Sequence, residues 1–328
     1  MSKDLVSGND WYVVATVTEL LSQQMVRKHL LGEDLVIWCN GGDRFMAWSN
    51  YCPHRGVRLS MGQISGESLV CPYHGLVFNC AGECVQIPSD SKQKPPGRMR
   101  VQTYQCAVRY GLVWVCLGAR QGEETEHQIP PFPEWDDPSY RKVLWGPRLY
   151  RASGLRVIEN FLDPGHAMFV HDGILGDRAH PEVSNYTVEI DSDGISIRNA
   201  QLWQPNPEGT NSSGFVTYNY RVWRPLTLSL FKETVVGKLT LFITITPVAE
   251  DECLVWVWLA MNYGYELSEE ELLAFQDLVG KQDIDMIESQ RPSRLPLDLR
   301  AEVHLRNDRA SIAYRKWLKH LGVTFGTI

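Results

Sequence analysis

Two short pairs of metal-ligating side chains constrain this sequence more than any other feature. Cys52-Pro-His54 is followed, after sixteen residues, by Cys71-Pro-Tyr-His74. Two thiolates and two imidazoles suit either a tetrahedral Zn²⁺ or a two-iron cluster in which two Cys hold one iron and two His the other. At this chain's Cys and His frequencies about one random sequence in several thousand carries the spacing, so four independently buried residues are the weaker explanation. Zinc knuckles use shorter gaps and carry their histidines on a helix. Here both pairs fall in loops of a β-rich stretch, and Gly56 and Gly75 behind them let backbone N–H groups approach sulfur. The iron–sulfur reading is preferred.

The surrounding chain supports a small all-β module. Short β-type runs at Trp11–Val17, Leu35–Trp38, Phe45–Trp48 and Leu112–Val115 are separated by turns such as Asn40-Gly-Gly-Asp43. A charged run, Glu123 to Glu126, and then Pro130, Pro131, Pro133 and Pro138 mark an extended connector. This places a seam at 120–140 and predicts domains at 1–125 and 126–328. The second part mixes helices with β-rich stretches at Tyr186–Arg198, Phe215–Val222, Leu228–Pro247 and Leu254–Met261, so its architecture is α+β, an antiparallel sheet flanked by helices. Ser268 with Glu271 forms a capping box that opens a long helix, and Pro292 closes it.

Composition narrows the function. Lys and Arg total 32 against 39 Asp and Glu, a net charge of −7 that opposes nucleic-acid binding. Apolar runs such as Leu254–Met261 are less than half of the roughly 18 to 20 residues that a membrane span needs. Met1 to Asp10 has no apolar signal core, so a cytoplasmic location is expected. In that reducing compartment eight cysteines imply metal ligation or plain burial rather than disulfides. Cys80 and Cys84 are read as structural, and His29, His127, His180, His304 and His320 lack ligand spacing. Ala313–Leu321 reads as an amphipathic terminal helix with Arg315, Lys316 and Lys319 off its apolar stripe.

A second metal site is suggested by Asn160-Phe-Leu-Asp163-Pro-Gly-His166, continuing to His171. His-x4-His alone is weak, since nine histidines produce it by chance about a quarter of the time. Two His and one carboxylate with open positions form the facial triad of non-haem Fe(II) oxygenases, so a third ligand is required. The helix after Ser268 offers Asp277, Asp283 and Asp285, and its apolar face runs through Leu272, Phe275, Val279, Met286 and Ile287. Asp283 falls on that face and Asp285 lies about 200° away. A buried carboxylate costs several kcal/mol unless paired or metal-bound, which selects Asp283 over a solvated acid and leaves a buried salt bridge as the alternative.

The loops Cys52-Pro-His-Arg-Gly-Val57 and Val70-Cys-Pro-Tyr-His-Gly75 resemble those of the Rieske non-haem iron oxygenases. Respiratory Rieske proteins carry an extra Cys in each loop, where this chain has Val57 and Tyr73, and a hydroxyl where it has Leu76. Fewer donors to sulfur place the potential in the lower part of the roughly −150 to +300 mV Rieske range. The resemblance extends to the C-terminal ligand, since Asp283-Ile-Asp-Met-Ile-Glu-Ser-Gln-Arg-Pro292 matches the family's Asp-x-x-x-x-Glu-Ser-Gln-x-Pro. It implies a [2Fe–2S] cluster on Cys52, His54, Cys71 and His74, a mononuclear Fe(II) on His166, His171 and Asp283, and Asn160 beside the iron. It also implies that Asp163 bridges His166 to a cluster histidine of a neighbouring subunit. A helix N-cap with Pro164 at N1 is the local alternative for Asp163.

What the family implies is a homotrimeric terminal oxygenase that takes electrons from NAD(P)H through a reductase or ferredoxin and uses O₂ on a small-molecule substrate. Vanillate, dicamba and caffeine demethylases are of this type. Leu59-Ser-Met-Gly62, the stretches 109–118 and 131–138, Arg294-Leu-Pro-Leu297 and the stretch 313–318 look most like the cyanobacterial hydroxylases of saxitoxin biosynthesis. Hydroxylation of a C–H bond, with a saxitoxin-like alkaloid as one substrate, and oxidative O- or N-demethylation share one signature. A Rieske electron carrier or binding protein is a third reading, opposed by the full second triad.

Overall fold

The computed structural model describes residues 4–42, 44–125, 127–207 and 212–328. Asp43 of the Asn40–Asp43 turn, Glu126 of the charged run and the first three residues of the N-terminal segment lie outside them. The chain divides into two compact units, Met1–Ile129 and Pro130–Ile328, inside the proline-bearing connector.

The first unit holds α1 (Leu5–Gly8), β1 (Tyr12–Thr16), α2 (Val17–Gln23), β2 (Met25–Leu30), β3 (Glu33–Cys39), β4 (Phe45–Ser49), β5 (Gln63–Ser65), β6 (Ser68–Val70), β7 (Val77–Asn79), β8 (Cys84–Gln86), β9 (Thr103–Arg109) and β10 (Leu112–Cys116). An antiparallel sheet runs in the order β1-β10-β9-β4-β3-β2, and a smaller one runs β5-β6-β7-β8. From Asp34 to Cys39 every residue of β3 is buried, the pattern of a strand covered on both faces. Trp38 and Trp48 meet edge to face with centroids 5.0 Å apart. They share one core with Leu69 and Phe78 of the small sheet and with Cys52 and Cys71, so the cysteines are anchored in packed hydrophobic structure. The β5–β8 strands escaped sequence reading because each has only three residues, too few to show a period.

The second unit holds β11 (Arg141–Tyr150), α3 (Gly154–Phe161), α4 (Ala167–Val170), β12 (Thr187–Asp191), β13 (Gly194–Gln204), β14 (Gly214–Arg224), β15 (Thr227–Glu233), β16 (Lys238–Ala249), β17 (Glu252–Met261), α5 (Glu269–Ser289) and α6 (Arg309–Leu321). Its antiparallel sheet runs β11-β17-β16-β15-β14-β13-β12. Phe132 stacks on Phe242 at 4.9 Å and Trp135 meets Trp258 at 5.1 Å, so the end of the connector covers one sheet face. Helix α5 opens with the Ser268–Glu271 capping box and packs against β11. A Cβ at Gly280 would stand 2.7 Å from the Trp145 indole, so the absence of a side chain sets how closely helix and strand approach.

Two faces differ from expectation. The covered stripe of α5 is Leu272, Gly280, Asp283 and Ile287, whereas Phe275 and Met286 are exposed at 42% and 48%. The stripe is rotated from the one drawn through the largest apolar residues, because Gly280, with no side chain, provides the docking point. On α6, Arg315 is buried although it lies off the apolar stripe. Its guanidinium donates to Glu159 at 2.5 and 2.8 Å and to Glu302 at 2.5 Å, and Arg156 binds Glu302 at 2.6 Å. Charge pairing across 156 positions of sequence offsets that burial.

Candidate metal centres

In the first unit two loops repeat one backbone pattern. Cys52 N–H donates to the Val57 carbonyl at 2.9 Å and Gly56 N–H returns to Cys52 at 2.8 Å. Cys71 and Leu76 pair at 2.9 Å, and Gly75 returns to Cys71 at 3.1 Å. Each turn closes through a left-handed residue, Gly56 at φ 70° and Gly75 at φ 68°, where a side chain would be strained. The consequence is a matched presentation. Cys52 and Cys71 are buried, His54 and His74 are exposed, and the two rings lie 4.7 Å apart.

Burial and the adjacent Cys71 push the Cys52 thiol up to about 11, although the N–H groups of His54 and Arg55 aim at its sulfur and oppose the rise. A thiol so placed becomes a thiolate when a metal shares its charge. The ligand atoms of one tetrahedral zinc stand about 3.5–3.8 Å apart. Among the described residues the group of three ligands found within 4.8 Å of one another lies elsewhere, at His166, His171 and Asp283. Two buried cysteines and two exposed histidines, an inner and an outer pair, fit the split ligand set of a two-iron cluster.

Asp34, which sequence reading missed, ties down the first loop. Its buried carboxylate accepts from Arg27, from Asn50 at 2.9 Å and from Tyr51 at 3.1 Å, while Asn50 accepts from Ser60 N–H at 2.8 Å. Burial alone would raise its pKa, but the Arg27 guanidinium with Asn50 and Tyr51 outweighs this and holds the carboxyl well below its usual range. Cys80 and Cys84 donate to the backbone carbonyls of Glu67 and Gln86.

The second centre is assembled from α3, α4 and α5. His166 caps the start of α4 and His171 its end, so one short helical turn separates the rings, whose centroids are 5.2 Å apart. Asp283 Oδ1 lies 3.5 Å from His166 Nε2 and 3.2 Å from His171 Nε2. Asp283 and His171 are buried, and Asp285, two positions on, is exposed. Asn160, near the end of α3, donates to Asp283 Oδ1 at 3.0 Å. Two imidazoles and a carboxylate converging from one side match the donor set of a non-haem iron site with open positions.

Asp163 is not the N-cap of α4, a place taken by His166, and it makes no hydrogen bond to the His166 ring. Its Oδ1 accepts from Gly165 N–H at 2.8 Å, a local turn bond, and its Oδ2 faces His166 Nδ1 at 3.8 Å. That separation is too long for a hydrogen bond, and Nδ1 is buried without one. Burial disfavours the charged His166 ring, yet Asp163 and Asp283 outweigh it and raise its pKa. Sequence reading also missed Gln282, whose Oε1 lies 2.9 Å from His171 Nδ1. No local pattern signals it, because His171 lies 111 positions away. The remaining histidines stand apart, His180 for instance pairing with Asp177 at 3.0 Å.

Comparison with known proteins finds relatives for both units. Residues 10–105 match the Rieske [2Fe-2S] domain and residues 150–323 the vanillate O-demethylase oxygenase C-terminal domain. The methylxanthine N1-demethylase NdmA of Pseudomonas putida is 32% identical over 320 residues, covering 95% of this chain and 88% of that protein. The solved structure of NdmA with caffeine superposes with a TM-score of 0.82 at 30% identity, over 95% of this chain and 90% of that one. A 116-residue stretch is 35% identical to the oxidoreductase NdmD of the same organism, spanning 35% of this chain and 20% of NdmD. Among the described residues no helix is long and apolar enough to cross a membrane. With both domain models matched in order and a relative aligned along nearly its whole length, this chain belongs to the Rieske non-haem iron oxygenases, oxidoreductases that couple a [2Fe–2S] cluster to a mononuclear iron and O₂.

Proposed function

We propose that this chain is the terminal oxygenase of an oxidative demethylase acting on a small N-methylated heterocycle. The observation that carries this reading is the near full-length likeness to a methylxanthine N1-demethylase. Demethylation thereby gains over hydroxylation of a saxitoxin-like alkaloid. The overall change balances as an N–CH₃ group, O₂, two electrons and two protons giving N–CH₂OH and water. The hemiaminal then breaks its C–N bond to release formaldehyde and the N–H product. Iron held by His166, His171 and Asp283 supplies O₂ activation when bound, because two His and one carboxylate leave positions open. Asn160 fixes the Asp283 oxygen that faces both rings, and Asp163 sets the charge beside His166. Cys52, His54, Cys71 and His74 hold the cluster that stores the incoming electron, and the exposed imidazoles mark its accessible end.

Electrons come from NAD(P)H through a reductase or ferredoxin, a reading supported by the likeness to part of NdmD. The working assembly is a homotrimer in which Asp163 links His166 to a neighbour's cluster histidine. Exposed apolar side chains support self-association: Tyr51, Met61 and Tyr73 around the cluster loops, and Phe169, Phe275, Leu278 and Met286 around the iron-site helices.

The test is turnover of reduced protein with O₂ and a panel of N-methylxanthines, O-methylated aromatics and unmethylated alkaloids. Equimolar formaldehyde and N-demethylated product are expected. A stable alcohol without formaldehyde would reinstate the hydroxylase reading.

A further inference from the structure

The three proposed iron ligands differ in what stands behind them. Asp283 receives the Asn160 amide and His166 faces Asp163. His171 is buried, and Gln282 Oε1 lies 2.9 Å behind its Nδ1. We propose that Gln282 is the positioning residue for His171, holding the ring in the tautomer that leaves Nε2 free for metal. This rests on the reading of His166, His171 and Asp283 as iron ligands.

A metal at Nε2 needs the lone pair there, so the single proton of a neutral imidazole must sit on Nδ1. That proton needs an acceptor, which the Gln282 carbonyl oxygen provides at hydrogen-bond distance. The opposite amide orientation would present N–H to Nδ1 and move the ring proton to Nε2, 3.2 Å from Asp283 Oδ1. That arrangement suits a metal-free pair and blocks ligation. Gln282 therefore acts through the direction of its amide dipole. Consecutive places on α5 put the two side chains about 100° apart, so Asp283 reaches the Nε2 side of His171 and Gln282 the Nδ1 side. The group behind His171 is a neutral amide, whereas His166 faces a carboxylate.

The experiment uses the full-length protein with its cluster in place. Mononuclear iron is removed, and Fe(II) or Co(II) is titrated back anaerobically against a competing chelator. Gln282→Leu, which keeps the bulk and loses the acceptor, is expected to weaken Fe(II) binding by roughly 10- to 100-fold, the usual effect of losing an outer partner of a metal-bound His. Its Co(II) visible spectrum should shift, while the cluster absorbance and the unfolding temperature stay as in wild type. Gln282→Glu, which can only accept, should bind within a few-fold of wild type. If Gln282→Leu does not fold, Gln282→Asn, one methylene too short, gives the same contrast with Gln282→Glu. Wild-type affinity and spectrum in the variants lacking the acceptor overturn the proposal. Failure of the wild-type protein to bind either metal overturns the triad reading itself, and this inference with it.

Discussion

A carboxylate on the covered face of a helix is tolerated when positive or hydrogen-bonding groups meet it, and at Asp283 these are His166, His171 and Asn160. Asp283→Ala is expected to remove mononuclear iron more completely than the roughly 10- to 100-fold loss typical of an outer partner. Asp285→Ala should leave iron content near wild type, and metal analysis of both variants with the cluster intact checks the helical register. Asp34 gives a prediction in pH. Its pKa is lowered on folding, so its contribution is present above the usual carboxylate range and lost as pH falls through that range toward the folded value. Urea midpoints should therefore decline between about pH 5 and pH 3 in wild type. Asp34→Asn should lower the midpoint at neutral pH, because it removes a carboxylate that accepts from Arg27, Asn50 and Tyr51, and flatten the decline. That Asp283 is buried and Asp285 exposed was legible in the sequence, because helical phase is arithmetic. Gln282 was not, since its partner His171 lies 111 positions away and no local pattern records that pairing.

Helix α5 shows which properties of an element are written locally. Its start was readable, because Ser268 and Glu271 satisfy backbone donors within one turn. Its docking face was misread by one step, because hydrophobic periodicity weighs Phe275 and Met286 heavily and Gly280 hardly at all. Gly280 in fact meets Trp145, so small size, invisible to a hydrophobicity argument, decided the orientation. Two effects compete in Gly280→Ala. Alanine gains about 1 kcal/mol of helix propensity, whereas its Cβ would stand 2.7 and 2.8 Å from indole carbons in a packed interface, an overpacking that costs about 1–3 kcal/mol. The second should win, and the displaced helix carries Gln282 and Asp283 with it. Thermal unfolding should move down and iron retention should fall together, and higher stability with unchanged iron would show that α5 has room to shift. Arg315 makes the same point on α6, where a charge placed off the apolar stripe is nevertheless buried against Glu159 and Glu302.

At the scale of the molecule the proline cluster marked the region where the chain divides, between Ile129 and Pro130, since proline breaks regular structure, and each ligand pair, Cys52 with His54, Cys71 with His74 and His166 with His171, is short enough to be read in one loop or one turn. Assembly is different, because the surfaces that would meet belong to separate chains. The proposed trimer can nevertheless be tested by complementation. His74→Ala chains lack a complete cluster and Asp283→Ala chains lack a complete iron site, so each variant alone should be inactive. If a chain's cluster served only its own iron, a trimer mixing the two would hold no complete electron path. If transfer crosses the interface, some junctions pair an intact cluster with an intact iron, and doubly tagged mixed trimers should recover a fraction of wild-type turnover. Adding Asp163→Ala to the His74→Ala chain, which carries the working iron, should then reduce the recovered rate, because that carboxylate stands at the accepting His166. Inactive mixtures with full metal content would leave Asp163 with its other observed contact, the turn bond to Gly165, and would require each chain to reduce its own iron.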